Sequence, residues 1–254
     1  MSSTPSKSRR NLFIAGALIL TLLIGLAGVW FVVITTLPVQ CSQTLRYAWQ
    51  PAFSAYRDGN ADGLYPPMST TPGNFFPDLE SVRSLFPEDE SAELTCLAGS
   101  PGSPPPSMEA QFAAPTYAYF GYALQNEEAM MAFLDAYPGF IKTGANFDED
   151  LPAPAGKGSF GGDVFLRLRV DYPTAHGDAP YGMPVLFELP DYTATGLHFR
   201  HKHEKGSLLN FDSRVRFIRY GDSFPMTPAV IEKIGEIKAM YAAENAAVPP
   251  TPSE

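Results

Sequence analysis

Histidine and cysteine are scarce in this chain. Its 254 residues hold four histidines and two cysteines, Cys41 and Cys96. Few clusters can therefore be assembled for a nitrogen- or sulfur-ligated metal. None of the patterns G-x-S-x-G, H-E-x-x-H or G-x-x-x-x-G-K-[ST] occurs, so the common serine-hydrolase, zinc-protease and P-loop chemistries have no local signature. Basic residues are also few, 18 against 27 acidic, giving a net charge of −9. A nucleic-acid binder needs a basic surface, and this composition argues against one. Charge of either sign is missing altogether from residues 12–34. As a helix that run would be about 34 Å long, enough for a hydrocarbon core of ~30 Å. Lys7, Arg9 and Arg10 precede it, so the positive-inside rule puts the N-terminus in the cytoplasm and the remainder outside. The run is longer than the apolar part of a cleaved signal peptide, and Gln40 before Cys41 is wrong for a lipoprotein signal.

The expected organisation is a cytoplasmic tail at 1–11, a single-pass anchor at 12–37 in a bacterial inner membrane, a periplasmic domain at 38–244 and a disordered tail at 245–254. On the exported side Cys41 and Cys96 fit a disulfide, with two free thiols as the alternative. After the anchor, Leu45, Trp49, Ala52, Phe53 and Tyr56 recur at helical spacing, with Pro51 expected to bend the helix. Asp58, Asn60, Asp62 and Gly63 match the opening of a calcium loop. The twelfth position is Ser69, not the bidentate glutamate such a loop uses, and a plain turn explains the same residues. A short helix follows Pro77. Pro101 to Ser107 read as an exposed proline-rich loop. Tyr117–Tyr122 reads as an aromatic strand, and Asn126 caps a helix reaching about Tyr137. Residues 163–172 alternate, with Val164, Leu166, Leu168 and Val170 on one face and Phe165, Arg167 and Arg169 on the other, as in a half-buried strand. Residues 183–189 give another strand. Thr227 and Pro228 open a last helix with Ile231, Ile234, Ile237 and Tyr241 as its stripe.

Three histidines gather in His198-Phe-Arg-His201-Lys-His203. A two-residue turn at Gly206-Ser207 would place His201 opposite Asp212 and His203 opposite Asn210. His201, His203 and Asp212 would then converge, a possible metal set, while His198 points to the other sheet face. The same register makes His201–Asp212 a cross-strand pair that fixes the hairpin. A second turn at Ser213-Arg214 leads into the strand at Val215.

With these pieces in order, the chain resembles the pilin-like exported proteins of the planctomycete type. The resemblance runs through Cys41, Leu45, Tyr56, Tyr65-Pro66-Pro67 and Cys96. It continues through Phe199, His201, Asp212, Val215, Phe217, Ile218, Tyr220, Phe224, Pro225 and Thr227. The prepilin peptidase site of that group is missing here, and Ser213 stands where the group has glycine. The resemblance implies an α+β, pilin-like fold in which an N-terminal transmembrane helix continues into a helix packed on an antiparallel sheet of four to six strands. It implies a non-catalytic pilin- or pseudopilin-like structural protein without a cofactor, in contact with the lipid bilayer and with other pilin-like or secretion-system proteins. Processing and filament assembly stay open. The alternatives are an ectodomain binding a protein or glycan through Tyr117–Tyr122 and the proline-rich loop, and a metal enzyme using His201, His203 and Asp212.

Overall fold

The computed structural model describes residues 19–28, 41–86, 94, 107–172, 182–193, 196–198 and 204–247, the last with side chains through residue 246. Contacts divide the chain into two units, Met1–Val39 and Gln40–Glu254. In the first, residues 19–28 are helical and their leucines and isoleucines are exposed. Among the described residues no helix is long and apolar enough to cross a membrane. The expected anchor, single-pass topology and inner-membrane location are corrected accordingly. That expectation rested on hydropathy alone, and residues 12–18 and 29–37 lie outside the described residues.

The second unit is α+β. A π-helical stretch, Thr44–Trp49, runs into helix α1, Gln50–Gly59. Pro51 offers no N–H to the carbonyl four residues back. The turn widens there, and the Gln50 N–H bonds to the Leu45 carbonyl five residues back. Short helices α2, Leu79–Leu85, and α3, Met108–Ala113, follow, each N-capped by a side chain, Asp78 and Ser107. Strand β1 is Tyr117–Tyr119. Helix α4, Glu127–Thr143, is capped by Asn126 and ends at Gly144 in the left-handed region, φ 65°. It continues through Pro138 to Thr143, six residues beyond the expected end at Tyr137.

Strands β2, Leu151–Pro152, and β3, Val164–Phe165, form a two-stranded ladder. The expected strand at 163–172 is reduced to β3 and two isolated bridges, Arg167 to Tyr122 and Arg169 to Leu64. Strand β4 is Pro184–Glu188, and β5, Asp191–Thr193, pairs with β6, Gly196–His198. Strands β7, Lys205–Asn210, and β8, Val215–Arg219, are followed by α5, Pro228–Ala247. The main sheet is antiparallel, in the order β1-β4-β7-β8.

Register sorts the sheet's side chains between two layers. Tyr119, Leu186 and Leu209 share one rung, and Ala118, Phe187 and Leu208 the next, on the opposite face. The first face meets the N-terminal helix. Leu45, Trp49 and Phe53 are buried there, with the Phe53 ring stacked 5.4 Å from Tyr119. The second face meets α4 and α5 through Phe120, Phe133, Phe187, Ile231 and Ile234. The sheet is therefore enclosed between helical layers, the arrangement that two apolar sheet faces require.

Candidate functional site: a buried arginine and its neighbours

The alternation expected at residues 163–172 is broken: Leu168 is buried as expected, but its neighbours on that face are not. Val164 and Val170 are exposed, while Phe165 and Arg167 are fully buried. Arg167 is 2% exposed, and its guanidinium bridges three chain segments. Nη2 donates to the Tyr65 carbonyl at 2.6 Å. Nη1 donates to the Phe147 carbonyl at 3.0 Å and to Asp148 Oδ1 at 2.7 Å. The Arg167 N–H donates to Asp150 Oδ1 at 2.6 Å, and its carbonyl accepts the Tyr172 hydroxyl. A planar five-donor fork suits this work, and a lysine does not. Only Nε lacks a hydrogen-bond partner.

Tyrosines complete the cluster. The Tyr122 hydroxyl lies against the carbonyls of Phe147 and Glu149. Burial pushes its pKa up, and the Arg167 charge opposes this. Burial likewise raises Tyr172, with Arg169 opposing. Tyr119 donates to the Pro66 carbonyl at 2.5 Å and is raised well above the usual phenol by burial. All these phenols are held neutral and used as donors. The acidic run at residues 148–150 forms a turn, with Asn146 Oδ1 accepting the Asp148 N–H. Two of its carboxylates are bound to Arg167.

A second polar group lies under the N-terminal helix. Glu188 is 2% exposed, and its Oε2 accepts the Ser207 N–H at 3.1 Å. Ser207 Oγ is buried beside it without a hydrogen-bond partner, and so is Asn210 Oδ1 at the far end of β7, opposite Pro184. The clefts carry little chemistry. One of about 540 Å³ beside α1 and α2 has Tyr56, Asn60 and Ser84 among mostly alanine and glycine. Another of about 430 Å³ lies between Pro115, Pro190 and the middle of α5.

The turn from which the expected histidine pairing was drawn is not present. Strand β7 runs straight through Gly206 and Ser207, so no turn exists there. Its hairpin partner is β8, with Lys205 opposite Arg219 and Leu209 opposite Val215. Asp212 lies in the β7–β8 turn instead, where Oδ1 accepts the Arg214 N–H at 3.1 Å and the carboxylate pairs with the Arg214 guanidinium. The register that set His201 against Asp212, as hairpin lock or metal pair, is corrected by this turn. His201 and His203 lie outside the described residues. Gly206-Ser207 misled because a Gly-X pair permits a turn without requiring one, and strand pairing on both sides overrode it.

Asp58 is engaged by Ser54 and Arg57, and Asn60 Oδ1 accepts the Asp62 N–H at 3.1 Å, closing the turn after α1. Among the described residues no three His, Cys, Asp or Glu side chains are gathered as metal ligands. Cys41 is disulfide-bonded. Cys96, the chain's other cysteine, lies outside the described residues. Tyr117, Tyr119, Phe120 and Tyr122 are core residues, none more than 4% exposed. They offer no aromatic docking surface of the kind the binding-module alternative requires. The proline-rich loop at 101–106 lies outside the described residues.

With the geometry in place, the chain was compared with known proteins. No protein family, curated protein or solved structure matches it. Sequence reasoning missed Arg167 because alternation assigned it to the polar face. One signal was available: Phe165, large and apolar, shares its parity.

Proposed function

We propose that this chain is a non-catalytic structural protein, built on a pilin- or pseudopilin-like plan and acting by assembly with other copies of itself. The observation that carries the reading is the use of its buried polar groups. Arg167, Tyr119 and Tyr122 direct their donors at main-chain carbonyls of distant segments, and Trp49 Nε1 does the same to Leu94 at 3.0 Å. Such contacts brace loops against a sheet. A catalytic acid or base instead needs a titratable group within reach of a substrate. The helix lying along one face of an antiparallel sheet supports the pilin-like plan.

Chemical cross-linking of the full chain in the cells that make it tests the reading. A ladder of homo-oligomers is expected. A chain that cross-links only as a monomer, at every concentration of reagent, overturns it.

A further inference from the structure

Half of the eight described arginines are neutralised at home. Arg57 pairs with Asp58, Arg83 with Glu109, Arg167 with Asp148 and Arg214 with Asp212. The β7–β8 hairpin is different. Lys205 and Arg219 stand directly opposite each other across the ladder, both exposed. Like charges at such a position repel, so the fold itself gains nothing from them. Neither forms an ion pair among the described residues, nor does exposed Arg216. Half-exposed Phe217 belongs to the same sheet face as Lys205 and Arg219, two rungs inward.

The N-terminal helix extends this surface. Gln50, Ser54 and Arg57 meet Leu209, Asn210 and Ser213 across a narrow gap, which shows the flank that α1 turns toward the hairpin. Arg46, exposed and without an ion pair, lies one turn before Gln50 on that flank. Residues 205–219 carry four basic side chains and one acidic. Arg214 pairs with Asp212 and Arg216 falls on the opposite sheet face, so Lys205 and Arg219 are the cations of this face.

The complementary charge is on the other side of the sheet. Helices α4 and α5 pack on the opposite face and together carry six acidic and three basic residues, a net −3. Asp135 is taken by Lys233 at 2.7 Å. Glu128, Glu232 and Glu236 are exposed, with Glu232 Oε1 also accepting the Tyr220 hydroxyl at 3.4 Å. We infer that the Lys205–Arg219–Phe217 face, with Arg46 at its edge, docks on the acidic α4–α5 face of a second copy. The inference rests on the assembling role proposed above. An exposed aromatic beside an arginine has the composition of a protein contact centre. Because the two surfaces differ, each contact leaves one of each kind unused, and copies add head to tail.

The test is sedimentation velocity on the full chain at low and high salt, with reversed-charge variants checked for folding by circular dichroism. The wild type is expected to associate at low salt and to weaken at least tenfold at high salt, since exposed charge pairs are screened. Variant Lys205→Glu/Arg219→Glu should lose association, as should Glu232→Lys/Glu236→Lys. An equimolar mixture of the two should regain it, because each reversed surface then meets its opposite. Lys205→Gln/Arg219→Gln serves if a reversal unfolds the chain, and should also weaken association. Association that ignores salt and every one of these changes overturns the docking surface while leaving the assembling role standing. A wild type that stays monomeric at all concentrations and salts overturns both.

Discussion

At the scale of single residues, Arg167 holds the largest share of the structure's polar organisation. Its guanidinium is bonded to Tyr65, Phe147 and Asp148, and its main chain to Asp150 and Tyr172. Removing a buried partner of this kind leaves carbonyls without donors, which costs more than the bonds themselves contributed. Asp148 is 65% exposed, so water recovers its charge, and the loss falls mainly on the two carbonyls. Arg167→Met keeps the volume and removes the donors. It should destabilise the domain by about 3 kcal/mol, read as a lower urea midpoint at an unchanged slope. Arg167→Lys should recover less than half of that, because an ammonium cannot span the same three acceptors. Equal stability of all three proteins would show that the cluster is incidental.

At the scale of elements, the β7–β8 hairpin shows a local choice overruled by its surroundings. Its turn places Ser213 at φ 64°, a left-handed conformation that side chains rarely adopt. The Asn210 carbonyl accepts the Ser213 N–H at 2.9 Å, and Asp212 holds the Arg214 N–H, so the turn is fixed from both sides. Glycine removes the Cβ penalty there at some cost in unfolded-chain entropy. Ser213→Gly should therefore stabilise the domain by roughly 0.5–1 kcal/mol, seen as a higher thermal midpoint. A fall in that midpoint would mean that the serine hydroxyl has a role that this geometry does not display. The two-residue turn expected at Ser213-Arg214 is displaced: the chain turns through Phe211-Asp212, with Leu209 rather than Asp212 pairing with Val215. The turn expected at Gly206-Ser207 is absent because β7 is paired on both sides, to β4 and to β8.

At the scale of the molecule, buried phenols couple stability to alkaline pH. Tyr119, Tyr122, Tyr137 and Tyr172 all have pKa values raised from 10.0, in each case chiefly by burial. Folding therefore favours the neutral phenol. Above the unfolded value of about 10 the unfolded chain releases protons that the folded chain keeps, so stability falls as pH rises. Below that value the contribution is complete and flat. Urea unfolding at successive pH values should give constant stability from these groups up to about pH 9.5, then a steep decline. Phenolate absorbance should appear for these four tyrosines only together with unfolding. Their ionisation at ordinary phenol pH in a folded protein would contradict the burial described here.

The sequence by itself determined what short-range physics can decide. The stripe Leu45, Trp49, Ala52, Phe53 is buried, Asn126 and Thr227 cap their helices, and the 183–189 segment forms a strand. Periodicity, capping chemistry and hydropathy act within a few residues, so they can be read locally. Tertiary structure decided the rest. It turned Arg167 inward, because three distant carbonyl and carboxylate groups meet there and can satisfy a buried fork. It carried β7 through a glycine-serine pair, because neighbours on both sides supplied hydrogen bonds that a turn would have forfeited. It put Asp212 in a turn with Arg214, where register with β8 leaves it. And it set a cationic hairpin and an acidic helix pair on opposite faces of one sheet, a relation between segments that no stretch of the chain contains alone.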